Sequence, residues 1–145
     1  MITTELFDLT GKVALLTGAS RGMGKAMAQA LAEHGAKVMV SSRKLEPCQA
    51  VADEINRHCG EQRAFAFACN AGYKDQLQAL VDATRAQLGP IDVLVGNAGV
   101  NPYYGAQLDM PDEAYDKTLS TNGKSSLWLA RMVAPDMGAK GAGSM

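Results

Sequence analysis

The sequence has few of the residues that hold metal ions or form disulfide frameworks. Its three cysteines, Cys48, Cys59 and Cys69, lie ten or eleven residues apart and form no CxxC pair, and its two histidines are not clustered. This spacing indicates no zinc site. We interpret the cysteines as small apolar residues that pack inside the fold. His34 and His58 each stand near the end of an expected helix, where the ring interacts favourably with the helix dipole.

The sequence also lacks a charge bias and a long apolar run. The formal net charge is −1, which gives no electrostatic case for binding nucleic acid or an anionic membrane surface. No apolar stretch approaches the roughly 18 residues that a membrane-spanning helix needs. The first residues, Met1 to Glu5, include no basic region and no apolar core of a signal peptide. We therefore expect a cytoplasmic protein and, at 145 residues, a single domain over residues 1–145.

What the sequence does contain is a glycine motif directly after an apolar run. The segment Val13 to Thr17 leads into Gly18, Gly22 and Gly24, and an alanine-rich helical pattern follows. A strand that turns through glycines into a helix is typical of dinucleotide-binding turns. We expect Gly18 to make the tight turn, Gly22 to let backbone approach a pyrophosphate, and Gly24 to let the helix pack close to the sheet. The alternative is a glycine-rich connection that binds no ligand.

Apolar strand-like runs alternate with helical patterns along the chain. The expected strands are 12–17, 37–41, 63–69 and 91–95, and the expected helices are 22–34, 45–59, 74–88 and 111–137. Such alternation gives right-handed crossovers and a parallel sheet. We therefore expect a doubly wound α/β fold of Rossmann type, with strand order 3-2-1-4 and helices on both faces.

The last expected helix contains two residues that disfavour helical structure. Gly123 stands in its middle and costs up to about 1 kcal/mol relative to alanine. Pro135 lies near its end and predicts a kink or a helix end close to that position. The boundaries of this long helix therefore follow least directly from the sequence.

The end of the second strand indicates which nicotinamide cofactor the site prefers. An NAD site needs an acid there to hold the ribose 2′-hydroxyl, but residues 40–44 contain no aspartate or glutamate. Arg43 can pair with a 2′-phosphate instead, Arg21 in the glycine loop can approach the same phosphate, and Ser42 can add a hydroxyl donor. NADP(H) is therefore the preferred cofactor. NAD(H) is the alternative if Arg43 and its neighbour Lys44 form only a solvated turn.

With these motifs, the chain resembles the short-chain dehydrogenase/reductase family and, more specifically, its NADP-dependent carbonyl and retinal-type reductases. The family resemblance rests on the glycine motif, on the segment 96–99 (Gly-Asn-Ala-Gly) after the fourth strand, and on Asn122 in the long helix. The finer resemblance rests on the segments 100–105 (Val-Asn-Pro-Tyr-Tyr-Gly) and 41–44 (Ser-Ser-Arg-Lys). It implies hydride transfer between a nicotinamide and a carbonyl or alcohol. The cofactor contacts expected from the motifs and the resemblance together are Gly18, Ser20, Arg21, Gly22, Met23, Gly24, Ser42, Arg43, Asn70, Asn97, Ala98 and Gly99.

The resemblance also implies a catalytic role for Asn122. In the family this asparagine holds a water in a proton relay near a lysine, and the alternative is that it only packs or caps within its helix. The family's catalytic serine and Tyr-x-x-x-Lys follow a fifth strand. None of the four tyrosines here has a lysine four residues on, and residues 143–145 stand where that fifth strand would begin. Ser144 lies ahead of the catalytic serine position and is not assigned to it.

Three positions depart from the family pattern. Asn70 stands where the family has an aspartate that meets the adenine amino group. An amide accepts a hydrogen bond but brings no charge, so we expect weaker adenine binding. Gly96 replaces an asparagine, and Gly123 replaces an apolar residue.

The sequence therefore predicts the cofactor-binding front half of an NADP(H)-dependent carbonyl reductase or alcohol dehydrogenase, inactive alone, whose substrate is a small carbonyl or alcohol. The alternative is a non-catalytic nucleotide-binding protein, such as a truncated pseudoenzyme. Tyr103 and Tyr104 either line the near side of a substrate pocket or pack over strand ends. In the family, apolar residues of the long helix face the core or a neighbouring subunit. We therefore expect a homo-oligomer in a full-length parent, and self-association of the isolated chain through its unpaired fourth strand.

Overall fold

The computed structural model describes residues 3–145 and has the expected α/β architecture. The strands are β1 (Val13–Thr17), β2 (Lys37–Ser42), β3 (Ala64–Ala68) and β4 (Val93–Gly96). The α-helices are α1 (Thr3–Leu6), α2 (Gly22–Glu33), α3 (Leu45–Cys59), α4 (Lys74–Leu88), α5 (Asp112–Thr118) and α6 (Ser125–Lys140). A short 3₁₀ helix, Gln107–Asp109, precedes α5. Over residues 3–145, no helix has the length and apolar character that crossing a membrane requires. The segment considered for a signal peptide starts at Met1 and Ile2, which lie outside the described residues.

The four strands form one parallel sheet in the order β3-β2-β1-β4, so the expected topology is confirmed. All carboxyl ends of the strands therefore lie at one edge of the sheet. The strand order reverses at β1, because β2 pairs with one side of it and β4 with the other. The crevice beside such a reversal is where doubly wound folds bind their ligands.

Two hydrophobic cores cover the two faces of the sheet. On one face, α2 and α3 pack through small side chains such as Ala28 and Ala52 against Ala14 and Leu16 of β1. On the other face, larger side chains of α4 and α6 pack around Leu15. All five residues of β1 are buried, as expected for a central parallel strand that is covered on both sides.

The fourth strand begins later than the sequence predicted, at Val93 rather than at residue 91. The Ile91 N–H donates to Asp136 Oδ2 of α6 at 3.0 Å, so this amide takes no part in a strand ladder. The third strand lies inside its predicted range and is shorter by one residue at each end.

The helix expected over 111–137 is divided in two. A π-helical segment, Leu119–Lys124, separates α5 from α6 and contains Gly123, the residue expected to weaken the helix. Inserted π turns are frequent at functional sites. Just after it, Ser125 Oγ donates to the Thr121 carbonyl oxygen, a local bond of the kind that bends helices.

Pro135 does not end the helix. α6 continues to Lys140 and is closed by Gly141, whose φ of +66° is the left-handed conformation that glycine adopts most easily. Of the two alternatives expected at Pro135, the helix end was therefore wrong, and the kink stays a prediction. Pro135 therefore lies inside α6, where it cannot donate the i→i−4 backbone hydrogen bond.

Residues 143–145 lie beside β4. The Ser144 N–H donates to the Asp92 carbonyl oxygen at 3.0 Å, and the Leu94 N–H donates to the Ser144 carbonyl oxygen at 2.9 Å. Val93 and Ser144 form an isolated parallel bridge. Ser144 thus pairs with β4 at the place where the resemblance expects a fifth strand.

The carboxylates of Asp92, just before β4, and Asp136, on α6, connect this end of the sheet to β1, α4 and α6. Asp92 accepts hydrogen bonds from the Val13 N–H at 2.9 Å and from Lys140 Nζ at 2.7 Å. Asp136 accepts two from Arg85 Nε, at 3.0 and 3.1 Å. Burial alone would raise the pKa of each carboxyl, but these hydrogen bonds outweigh it and hold both pKa values below the ordinary value.

Candidate functional site

The glycine turn after β1 requires glycine for three different reasons. Gly18 has a φ of +64°, and a Cβ there would lie 2.9 Å from the Ala98 Cα. Gly22 has a φ of +56° but faces open space, with no atom within 4 Å of a Cβ. Gly24 is buried, and its Cβ would overlap the Gly18 carbonyl oxygen. The turn therefore needs Gly24 for packing and leaves the backbone at Gly22 open to an approaching group.

The amino terminus of α2 presents unpaired N–H groups. Its N-cap residue, Arg21, is in an extended conformation and makes no side-chain capping hydrogen bond. The first N–H groups of a helix have no partner inside the helix, and together with the helix dipole they form a binding site for anions. Arg21, Gly22 and Met23 are all exposed at this end.

The loop after β4 is fastened to the glycine turn by side-chain hydrogen bonds. Asn97 Nδ2 donates to the carbonyl oxygens of Thr17, at 3.3 Å, and Gly18, at 3.0 Å. The Ala98 N–H donates to Thr17 Oγ1 at 3.1 Å. The two loops at the strand-order reversal therefore hold each other in place, and Asn97 positions the turn as well as lining the cleft.

The carboxyl end of β2 carries a free cation and no acid. Arg43 is exposed and forms no ion pair with any residue in the described range 3–145. Beside it, Ser42 Oγ lies 3.1 Å from Cys48 Sγ and 3.4 Å from the Lys44 carbonyl oxygen. This arrangement suits a second anionic group one strand away from the helix terminus.

The carboxyl end of β3 contributes Cys69 and Asn70. Burial, with a smaller contribution from Asp75, raises the pKa of the Cys69 thiol to about 11, so it stays protonated at neutral pH and is a poor nucleophile. Asn70 Oδ1 accepts a hydrogen bond from the Gly72 N–H at 3.0 Å. The Asn70 N–H donates to Gln76 Oε1 at 2.8 Å, which fixes the backbone of this turn.

These strand ends and loops enclose one cleft of about 370 Å³ along the carboxyl edge of the sheet. Eleven of the twelve expected cofactor residues line it, and Gly24 alone lies beneath the turn. Four lining residues were not predicted from the sequence; two of them flank Asn70 and two belong to the far wall. These four are Cys69, Ala71, Val100 and Thr121.

Asn122 does not line the cleft, but it braces one of its walls. Its Oδ1 accepts the Val100 N–H at 2.7 Å, and its Nδ2 donates to the Val100 carbonyl oxygen at 2.9 Å. The side-chain amide thus joins the π-helical segment to the loop after β4. The catalytic relay role that the resemblance implies stays a prediction.

The histidines and the two loop tyrosines lie outside the cleft. His34 Nδ1 is 2.8 Å from the Ala30 carbonyl oxygen at the end of α2, and His58 Nε2 is 3.0 Å from Glu33. Tyr103 donates its hydroxyl hydrogen to the Ala106 carbonyl oxygen at 3.1 Å, and Tyr104 is 86% exposed. Within the part of the chain that the structure describes, no three histidine, cysteine or acidic side chains gather as metal ligands.

Comparison with known proteins gives concordant matches. A family model described as short chain dehydrogenase matches residues 12–145. Dehydrogenase/reductase SDR family member 4 of Homo sapiens is 40% identical over 144 residues, which cover 98% of this chain and 50% of the relative. The chain spans about half the length of the curated relatives it matches.

Solved structures match just as closely. A metagenomic short-chain oxidoreductase in complex with NADP is 38% identical with a TM-score of 0.85, over 93% of this chain and 60% of that one. A 7α-hydroxysteroid dehydrogenase complexed with NADH and 7-oxo glycochenodeoxycholic acid is 35% identical with a TM-score of 0.90, over 100% of this chain and 56% of that one. The similarity therefore extends along the whole of β1 to α6.

Proposed function

Because this chain belongs to the short chain dehydrogenase family, we propose that it is the cofactor-binding half of an NADP(H)-dependent oxidoreductase of the carbonyl reductase or alcohol dehydrogenase type. The observation that carries the proposal is the cleft at the strand-order reversal, where an uncapped helix terminus and two arginines face one space. Its substrate would be a small carbonyl or alcohol compound. The nicotinamide, when bound, supplies or accepts the hydride.

The residues present fit a dinucleotide. The open backbone at Gly22 and the unpaired N–H groups of α2 suit a pyrophosphate. The carboxyl end of the neighbouring strand β2, at Ser42 and Arg43, suits the ribose and its phosphate. Asn97 hydrogen-bonds to the carbonyl oxygens of Thr17 and Gly18 and so ties the two walls of the cleft together.

The preference for NADP(H) over NAD(H) rests on charge. Arg43 has no acidic partner within residues 3–145, and the segment 40–44 contains no acid that could hold a ribose 2′-hydroxyl. The relative bound to NADP supports this choice, and the relative bound to NADH keeps NAD(H) as the alternative. A titration of both reduced cofactors into the chain decides between them.

Hydride transfer also needs a proton donor for the carbonyl oxygen. No tyrosine of this chain has a lysine four residues on, and Asn122 already uses its side-chain amide on Val100. We therefore assign this chain the binding of cofactor and the bracing of the cleft, with Asn122 contributing to a relay only together with further catalytic groups. The second candidate function is a nucleotide-binding protein without catalysis, and the lack of a tyrosine with a lysine four residues on also favours it.

The surface of the helices after the loop supports assembly into an oligomer. Leu119 is 50% exposed and Leu127 is 49% exposed, and Tyr115 on α5 is 56% exposed. Exposed apolar side chains favour association with another apolar surface. We propose a homo-oligomer in a full-length parent and a cytoplasmic location.

Two glycines with similar φ values, one inside and one outside the cleft lining, test the cofactor site. Gly22 and Gly60 both have positive φ, +56° and +72°, and neither has an atom within 4 Å of the position that a methyl group would take. Substitution by alanine therefore costs each a similar strain of about 1–2 kcal/mol. Only Gly22 lines the cleft.

We expect Gly22→Ala to weaken NADPH binding by about tenfold or more, because the added methyl stands where the pyrophosphate would approach. Gly60→Ala should leave binding unchanged while it lowers thermal stability to a similar degree. Calorimetric titration and thermal unfolding measure both effects. No NADPH or NADH binding by the unchanged chain would support the ligand-free glycine turn instead.

A further inference from the structure

The side chain of Asn70 is held in one orientation. The Gly72 N–H needs an acceptor, and Asn70 Oδ1 supplies it at 3.0 Å. Rotating the amide by 180° would set its NH₂ group against that N–H, with two donors facing each other. The oxygen therefore stays on the Gly72 side, and the Nδ2 group is the part of the side chain that is left for another partner.

The Nδ2 group has no partner among residues 3–145, although Asn70 lines the cleft. An Asn NH₂ group carries two N–H donors. The cleft therefore presents a fixed hydrogen-bond donor at the carboxyl end of β3, beside Cys69 and Ala71.

The order of the strands indicates what this donor meets. This inference rests on the proposed function, in which the pyrophosphate lies at β1 and the ribose phosphate at the end of β2. The sheet order β3-β2-β1 then leaves the next strand end outward, β3, for the base. Asn70 is the polar side chain that lines the cleft there.

Purine bases differ in hydrogen bonding at position 6. A 6-aminopurine such as adenine presents an N6–H₂ donor beside the N7 acceptor, whereas a 6-keto purine presents two acceptors, O6 and N7. An aspartate at this position would offer only acceptors and would repel O6. The Asn70 Nδ2 donor can pair with N7 of either base or with O6 of a keto purine.

We propose that Asn70, held by Gly72, makes the cleft accept 6-keto purine dinucleotides as well as the adenine dinucleotide. The site then recognises the base by its acceptors and not by its 6-amino group. A hypoxanthine analogue of NADP is the probe, because it differs from NADP only at position 6 of the base and the adjacent ring nitrogen.

The experiment compares two substitutions that add the same charge. Asn70→Asp keeps an oxygen for the Gly72 N–H and removes the donor, so it should fold like the unchanged chain. Asn101→Asp makes the same change at an exposed residue outside the cleft lining. NADP and its hypoxanthine analogue are titrated into all three proteins by calorimetry, and thermal unfolding checks each fold.

The unchanged chain and Asn101→Asp should bind the two dinucleotides within about threefold of each other. Asn70→Asp should bind the hypoxanthine analogue about tenfold more weakly than NADP, within the range for one misread base contact. Asn70→Ala, as a second variant, should weaken both dinucleotides to the same extent.

Two results would overturn the inference while leaving the cofactor assignment intact. One is a tenfold preference of the unchanged chain for NADP over the hypoxanthine analogue. The other is an equal ratio in the unchanged chain and in Asn70→Asp. Failure of the unchanged chain to bind either dinucleotide would instead overturn the proposed function, and this inference with it.

Discussion

Replacing Arg43 by alanine should separate the two nicotinamide cofactors. Arg43 lines the cleft at the end of β2 and has no acidic partner in the described part of the chain. A hydrogen bond to a charged group contributes about 1.5–3 kcal/mol. Because Arg43 is exposed and Arg21 shares the cleft, solvent and the second cation reduce the loss toward the lower end. We expect NADPH affinity to fall by about 1.5 kcal/mol, roughly tenfold.

NADH has no 2′-phosphate, so its affinity should change by less than about twofold in Arg43→Ala. Lys44→Ala is the matched control, since it removes the same charge from the next residue, which does not line the cleft. It should leave both cofactors almost unaffected.

Salt gives an independent readout. Raising the ionic strength screens exposed charges, so it should weaken NADPH binding more than NADH binding in the unchanged chain. That difference should shrink in Arg43→Ala. Calorimetric titration at two salt concentrations measures it. An equal loss for both cofactors, or an equal effect of Lys44→Ala, would refute the assignment of Arg43 to the 2′-phosphate.

Four further outcomes are expected. The purified chain alone should not oxidise NADPH with carbonyl compounds, because it has no Tyr-x-x-x-Lys; turnover free of host reductases would contradict this. At micromolar concentration the chain should self-associate in sedimentation, because within residues 3–145 the outer edge of β4 is paired only through Ser144 and because Tyr115, Leu119 and Leu127 are about half exposed; a monodisperse monomer that binds no hydrophobic dye would argue against it. Gly24→Ala should lower the free energy of unfolding by about 1–3 kcal/mol, because the added methyl group would overlap backbone atoms. Gly123→Ala should raise the free energy of unfolding by up to about 1 kcal/mol, because no atom lies within 4 Å of the added methyl group. Equal shifts of the two variants in urea denaturation would refute the packing argument. The pKa values of Asp92 and Asp136 are lowered in the folded state, so their ionised carboxyls stabilise the fold at pH values above the ordinary carboxyl pKa. This stabilisation is lost as the pH falls through the lowered pKa values. Asp92→Asn should therefore flatten the acid side of the plot of stability against pH, and an unchanged plot would count against the argument.

The topology could be predicted from the sequence because local and global signals agree. The apolar run ending at Thr17, the glycines after it and the alternating helices all require a parallel sheet with β1 at its centre. The cleft followed from the same rule, since carboxyl strand ends converge where the strand order reverses. Residues that follow those strand ends, such as Arg43, could therefore be expected to line the cleft, as they do; the role of Arg43 stays a prediction.

The sequence did not reveal features that depend on distant side chains. The start of β4 was misplaced because the Ile91 amide binds Asp136, which lies 45 residues away. The division of the long helix accompanies the two hydrogen bonds between Asn122 and Val100, and no local pattern predicts them. Thr121 lies in the π-helical segment and lines the cleft, although no motif in the sequence singled it out.

The two faces of the sheet differ in how much redesign they would tolerate. On the α2 side, seven of the thirteen buried core residues are alanines, and Ala28 and Ala32 of α2 are completely buried. A larger side chain at Ala28 would have to displace close-packed neighbours, and part of the strain would pass along α2 to Gly24, one helical turn away. On the opposite face, Met39 and Met137 offer side chains that can adjust to new shapes. Directed evolution of this chain should therefore accumulate core substitutions on the α4 and α6 side, and the residues beneath the cofactor turn should stay at the size of alanine.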